Sequence, residues 1–441
     1  MPAARIGATV VVIGITAASF STTAATQHHT TAVASHDSTS KIARNVVPLP
    51  STGVEHFVDT PTATPPQSPK QSAHPKAATP PPAAAPPPTP PPPPPPPARQ
   101  VLGFAPSWTL DTWPQWRMQD LSAIAYFAVT IDGSGNTVPD DSWPAWQGQQ
   151  LSDMVNAAHA AGTKVLVTVK CFDNGDIRSI VSDGQHMATA VQTATDLMRM
   201  RNLDGVALDF EGSAADPGMR QGMVQFSAAL QKSIHAYRAD AQYVVATYAG
   251  SAQGDGGLWD LPALTPTVDA FFVMAYDMAS GNTPGHASAN APLSGGPYND
   301  SDTVAQYLTK TSADKVILGV PYYGYKWTVT SPDPNGSISD GPQASTYSQM
   351  LDDFGCAQSL AVHRDEANPW ATWYSPAGGD PCGANAGAWR ELYFETATTI
   401  GAKYDLVNRA NLRGTGMWAL GFDAGHGELW DTLQTHVTPK R

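Results

Sequence analysis

Three cysteines in 441 residues are too few for a disulfide scaffold. No Cys/His spacing of the zinc-binding kind appears either, so no metal site is expected. Basic residues are scarce: 25 Lys and Arg stand against 38 Asp and Glu, a formal net charge of −13. That balance argues against nucleic acid, whose phosphates want a basic surface. It also disfavours electrostatic docking on anionic lipid, whereas a neutral polymer meets no such penalty. Long apolar runs are missing beyond the N-terminus, so no integral membrane partner is implied.

The N-terminal exception reads as an export signal over residues 1–26. Arg5 is its only early charge, an apolar run follows from Ile6 to about Ala18, and small residues surround Ala24 and Ala25. The expected location is therefore outside the cell or in its envelope. If the signal stays uncleaved, the same run becomes an N-terminal anchor. Cys356 and Cys382 share one loop-rich segment and are expected to pair, leaving Cys171 as a packed core thiol. Residues 27–99 hold mostly Ala, Thr, Ser and Pro, a composition too poor in large apolar groups to fold alone. Proline is unbroken from Pro90 to Pro97, which implies an extended spacer rising about 3.1 Å per residue.

The texture changes at residue 100 and holds to about residue 438. Eight apolar runs are expected as strands: Val101–Ala105, Ala123–Val129, Lys164–Val169, Gly205–Glu211, Tyr243–Tyr248, Ala270–Tyr276, Val316–Pro321 and Gly416–Leu420. They show no strict alternation, the mark of strands buried on both faces of a parallel sheet. Between them lie helical stripes: Leu151, Met154, Val155 and Ala158; Met187, Val191, Ala194 and Met198; Met223, Phe226, Leu230, Ile234 and Tyr237. Eight such units imply an α/β fold of the (β/α)₈ TIM-barrel class. Residues 326–388, rich in Gly, Pro, Asp and Ser, read as a small insertion between strands seven and eight.

The fourth strand carries the chemistry. It reads Asp204-Gly205-Val206-Ala207-Leu208-Asp209-Phe210-Glu211. Side chains alternate along a strand, so Val206, Leu208 and Phe210 face the helices while Ala207, Asp209 and Glu211 face the barrel interior. Two carboxylates stacked there are costly without a task. The C-terminal end of barrel strands is where such enzymes hold their active sites. Like charges at close range push one pKa upward, which would keep Glu211 protonated. The competing structural reading has these acids capping the next helix or pairing with basic residues.

Asp204–Glu211 resembles the D-x-x-D-x-D-x-E signature of glycoside hydrolase family 18. Other segments resemble the family in the same order: Gly103–Trp108, Ala125–Ala128, Met274-Ala275-Tyr276-Asp277, Gly319–Gly324 and Gly416–Leu420. The resemblance implies a general acid, Glu211, and substrate-assisted catalysis with retention. The substrate's own 2-acetamido oxygen attacks, so the separation rule for two protein carboxylates does not apply. It further implies that Asp209 and Tyr276 hold the acetamido group and Asp277 binds sugar. Trp418 would floor the site, with Trp108, Thr168 and Met274 as further substrate contacts. No cofactor is implied, and the partner is an N-acetylglucosamine-containing glycan bound by a monomer.

The departures from the family pattern are specific. Ala207 stands where chitinases carry the middle aspartate, and Phe104 where many carry a tyrosine. The third-strand S-x-G-G becomes Thr168-Val169-Lys170-Cys171, which reshapes the neighbouring subsite. Trp108, Trp143, Trp146, Trp327, Trp370 and Trp373 form either a stacking cleft or ordinary packing, with Trp108 favoured as substrate-facing. His426, between two glycines, reads as a turn residue. Two functions fit: a hydrolase of peptidoglycan or chitin, and a catalytically weak glycan-binding barrel with Ala207 as its cause.

Overall fold

The computed structural model describes residues 98–439 apart from 213–215, 255–256, 358–359, 364–367 and 376–386. The expected signal peptide, the linker up to residue 97 and the Cys356–Cys382 pairing lie outside the described residues. Eight parallel strands close into a barrel: β1 (Ala98–Pro106), β2 (Ala123–Ile131), β3 (Lys164–Cys171), β4 (Gly205–Phe210), β5 (Gln242–Tyr248), β6 (Ala270–Met274), β7 (Val316–Pro321) and, after an insertion, β13 (Gly414–Trp418). Each pairs with the next in sequence, and β13 returns to β1 to complete the ring. All eight expected strands are present, with ends displaced by a few residues. Glycine lets neighbouring strands meet at the base: a Cβ on Gly205 or Gly414 would lie 2.0 or 1.9 Å from a carbonyl oxygen of the adjacent strand.

The barrel begins two residues inside the expected linker. Ala98 and Arg99 already belong to β1, where they pair with Thr438 and Pro439 near the C-terminus. Arg99 also donates to the Leu412 carbonyl at 2.8 Å and to Asn411 Oδ1 at 2.9 Å. The composition could not mark this boundary, because the partners that recruit Arg99 lie more than three hundred residues away.

Helices cover the barrel through the stripes read from sequence. Leu151, Met154, Val155 and Ala158 are buried on α1 (Gln149–Ala160). On α3 (Gly184–Met200), Ala194 and Met198 are buried while Met187 and Val191 are partly covered. On α4 (Pro217–Tyr237), Met223, Phe226, Leu230 and Ile234 face inward. Short connections are sealed by side-chain caps: Asp173 caps α2 (Asn174–Ser182), Asp183 caps α3, and Asp216 caps α4 ahead of Pro217. Capping leaves the strand ends close to the helices that follow them.

The insertion is an antiparallel sheet wider than expected. It comprises β8 (Tyr323–Val329), β9 (Ile338–Thr346), β10 (Ala361–His363), β11 (Trp370–Ser375) and β12 (Ala388–Tyr393), ordered β9-β8-β12-β11-β10. The sheet starts at Tyr323 and ends at Tyr393 rather than spanning 326–388. Tyr323-Gly324-Tyr325-Lys326-Trp327 is aromatic-rich strand sequence, and besides β9 it pairs with β12, distant in sequence. A buried charged cluster joins helix to helix. Lys403, on α6 (Ala397–Arg409), meets Asp300 of α5 (Asp300–Leu308) at 2.7 Å and Glu395 at 3.5 Å.

Candidate active site

The C-terminal end of β4 points its residues as the alternation requires. Phe210 leaves the barrel and stacks on Phe226 of α4, with ring centroids 5.5 Å apart and planes 15° apart. Asp209 lies on the opposite face and is 4% exposed. Glu211 follows the strand, and its N–H still donates to the Cys171 carbonyl of β3 at 3.0 Å. Asp204, at the other end of β4, has a structural post. It accepts from the Val165 N–H at 2.8 Å, lies 2.7 Å from His159 Nε2 and pairs with Arg238.

Titratable side chains crowd the mouth. Burial pushes the Glu211 carboxyl well above the usual range, and the Asp209 and Asp277 carboxylates push it further. Burial also raises Asp209, and the Lys170 ammonium opposes both shifts. Tyr276 is held far up by burial and by the fields of Asp277, Asp209 and Glu211. Asp277 is raised by burial, against two tyrosine hydroxyls that favour its charged form. Tyr323 and Tyr325 both donate to Asp277 Oδ1 at 2.5 Å. The Asp277 N–H donates to Asn290 Oδ1 at 2.8 Å, securing a left-handed backbone with φ of 61°.

The third element is an aromatic wall. The Trp418 ring, at the end of β13, lies 4.6 Å from Phe127 and 5.8 Å from Phe104. Trp108, 52% exposed, stands at the rim with its centroid 6.5 Å from Trp418 and 6.3 Å from Phe127. Met274 is partly exposed at the end of β6. Thus Glu211, Asp209, Tyr276 and Asp277 come together around the acids, with Trp418 and Trp108 contiguous along the wall.

Thr168 does not reach the cleft surface. It is fully buried, paired in register with Ala207, and its Oγ1 has no hydrogen-bond partner among the described residues. Asp209 Oδ1 is buried in the same condition. The expected sugar contact at Thr168 is therefore a floor position beneath the site. Trp146, Trp327 and Trp373 are 0%, 3% and 1% exposed, so they pack the molecule and line no cleft. Cys171 is a free, buried thiol pushed up to about 12 by burial. His426 follows the turn after Trp418, with its ring centroid 6.5 Å from that of Tyr347.

Sequence reasoning missed several members of the site. Tyr248 is raised by burial and by Glu211 and Asp209, which places it beside the acids. Tyr325 and Asn290 secure Asp277, and Phe127 backs Trp418. Only Phe127 and Tyr323 fell inside motifs that could have drawn attention to them. Among the described residues no group of His, Cys, Asp or Glu could hold a metal ion. A separate cleft of about 370 Å³, lined by Asn282, Ser288, Asn335, Trp370 and Tyr393, excludes the acids.

Known proteins are similar to this chain in sequence and in fold. The chain is 27% identical over 252 residues to chitinase C of Streptomyces lividans, covering 54% of this chain and 38% of that protein. It is 24% identical over 262 residues to the putative sporulation-specific glycosylase YdhD of Bacillus subtilis (strain 168), covering 58% of this chain and 56% of that one. The matched region is thus less than two thirds the length of these relatives. In fold it resembles the spore cortex-lytic enzyme SleL of Bacillus megaterium QM B1551, with a TM-score of 0.63 at 17% identity over 79% of this chain and 76% of that one. The model of the glycosyl hydrolases family 18 matches residues 100–423, the whole barrel from β1 past Trp418, and the chain belongs to that family.

Proposed function

We propose that the protein is a secreted, retaining glycoside hydrolase of polysaccharides containing β-linked N-acetylglucosamine, either peptidoglycan or chitin. The observation that carries this reading is the raised Glu211 carboxyl beside buried Asp209 at the barrel mouth. A carboxyl that keeps its proton near neutral pH is ready to act as an acid.

Glu211 donates its proton to the glycosidic oxygen as the bond to the anomeric carbon breaks. The carbonyl oxygen of the sugar's 2-acetamido group attacks the anomeric carbon from the other face, forming an oxazolinium-type intermediate. Asp209 faces the acetamido nitrogen and stabilises its developing positive charge. The Tyr276 hydroxyl donates to the acetamido oxygen. Asp277, with one oxygen committed to Tyr323 and Tyr325, offers the other to a sugar hydroxyl. Trp418 lies under the sugar's C–H face, and Trp108 extends that surface to the rim. Glu211, now ionised, takes a proton from water, which opens the intermediate with net retention. No step needs a cofactor, and one chain supplies every group named, in keeping with a monomer. The apolar N-terminal run and the proline tract support export to the cell envelope, with the tract as a spacer.

A second reading, a glycan-binding barrel with little turnover, draws on Ala207. Its methyl group offers nothing to the buried Asp209 Oδ1 or Thr168 Oγ1. The two readings part on one experiment. The protein and Glu211→Gln are incubated with peptidoglycan and with chitin oligosaccharides, and products are read by mass spectrometry. Cleavage that depends on Glu211 supports the hydrolase; binding by both proteins without cleavage supports the binding barrel.

A further inference from the structure

Lys170 is a cation at the mouth that the mechanism leaves without work. It lies on β3, in register with Asp209 on one side and Thr130 on the other. Its Nζ is 5.5 Å from the Phe127 ring centroid and 5.6 Å from that of Phe172. Phe127 is in turn packed on Trp418. The ammonium is therefore held on the same aromatic wall that floors the sugar site, one side chain further along.

The anion already near it is a poor match. Asp140 Oδ2 stands 3.5 Å from Nζ, longer than the roughly 2.8 Å of a charge-assisted hydrogen bond. Asp140 is committed elsewhere, accepting from Thr130 Oγ1 at 2.5 Å, Ser142 Oγ at 2.5 Å and the Ser142 N–H at 2.9 Å. Lys170 has three N–H donors, and none makes a hydrogen bond among the described residues. Its side chain keeps 21% of its surface exposed, enough for a ligand to reach it. Asp140 and the two rings thus aim the ammonium without consuming its donors.

We propose that Lys170 determines substrate specificity by binding a carboxylate on the sugar adjacent to the one over Trp418. The substrate class is then an anionic glycan in which N-acetylglucosamine alternates with a sugar bearing a lactyl ether acid, the chemistry of peptidoglycan rather than of uncharged chitin. A neutral chain gains nothing from a desolvated cation on its binding wall, whereas a carboxylate replaces the water lost from Nζ with a charged acceptor. This inference rests on the hydrolase reading and names its substrate.

Lys170 also acts on Asp209 and Glu211 through its field, and that influence is common to every substrate. The test therefore reads ratios. With the full chain, kcat/KM is measured for the protein, Lys170→Gln and Lys170→Arg on three glycans of equal length. These are peptidoglycan strands freed of stem peptides, the same strands with the lactyl carboxylates converted to amides, and chitin oligosaccharides. The unaltered protein should prefer the carboxylate strand over its amide by about tenfold or more, the scale of one charged hydrogen bond. Lys170→Gln should erase that preference and Lys170→Arg should keep it. Equal losses on all three glycans would overturn the proposal and make Lys170 a tuner of the acids. Failure of the hydrolase reading shows separately, as cleavage that Glu211→Gln does not slow or as no cleavage at all. Calorimetry of Glu211→Gln with and without Lys170→Gln then decides: affinity for the carboxylate strand must fall selectively with Lys170→Gln, and unchanged affinity refutes the proposal.

Discussion

The two ends of strand β4 carry the same kind of side chain under opposite conditions. At the base, Asp204 is satisfied by the Val165 N–H, His159 and Arg238. At the mouth, Asp209 is buried with an oxygen lacking any partner among the described residues, and Glu211 is pressed toward its protonated form. Five residues separate Asp204 from Asp209. On the proposed reading the two ends divide the work: a carboxylate with full partners stabilises, and one denied partners is kept reactive at a cost in stability.

Exchanging the roles of the two ends tests this contrast. The largest effect belongs to Glu211→Gln, which should lower kcat/KM by about a hundredfold or more, the usual scale of a general acid. Product assays on any cleaved glycan measure it, and an unchanged rate would dissolve the distinction. Asp204→Ala should do the reverse, costing about 3 kcal/mol of stability by stranding Arg238 and the Val165 N–H. Denaturant titration reads the loss, while turnover per folded molecule should stay within about threefold.

The sign of the pH dependence sharpens the comparison further. Glu211 has a folded pKa above its unfolded value, so between the two the folded state binds more protons and stability falls as pH rises. The penalty is absent below the ordinary carboxylate pKa and complete only above the raised one. Glu211→Gln removes it, so the mutant's melting temperature should exceed that of the parent by a margin that widens as pH climbs from about 4. Scanning calorimetry across that range checks the trend; a constant margin would place Glu211 in an ordinary solvated setting. The smallest expected effect lies outside the barrel. Deleting Pro61–Pro97 should leave the rate on a soluble glycan fragment unchanged, because β1 begins at Ala98.

Much of the barrel was legible because its strands are local. A run such as Ala123–Val129 is apolar throughout, and no distant information is needed to see that it is buried on both faces. The inward face of Asp209 and Glu211 followed from alternation alone. Partners that meet only after closure were not legible. Nothing near Asp277 announces Tyr325, forty-eight residues on, and nothing near Arg99 announces Leu412. Tryptophan was misleading for the same reason: Trp146, Trp327 and Trp373 look like loop residues in sequence and are core residues in space.

By itself, then, the sequence determined the strand count of the barrel, the class of fold, the orientation of β4 and the candidate acids, since periodicity and motif order are written within short spans of chain. Only the tertiary structure decided which environment each acid meets, which aromatic rings form a wall, and that Lys170 rests on that wall with no hydrogen bond to its donors among the described residues. Those are properties of surfaces brought together by barrel closure, and an electrostatic field or a packing contact has no sequence period to betray it.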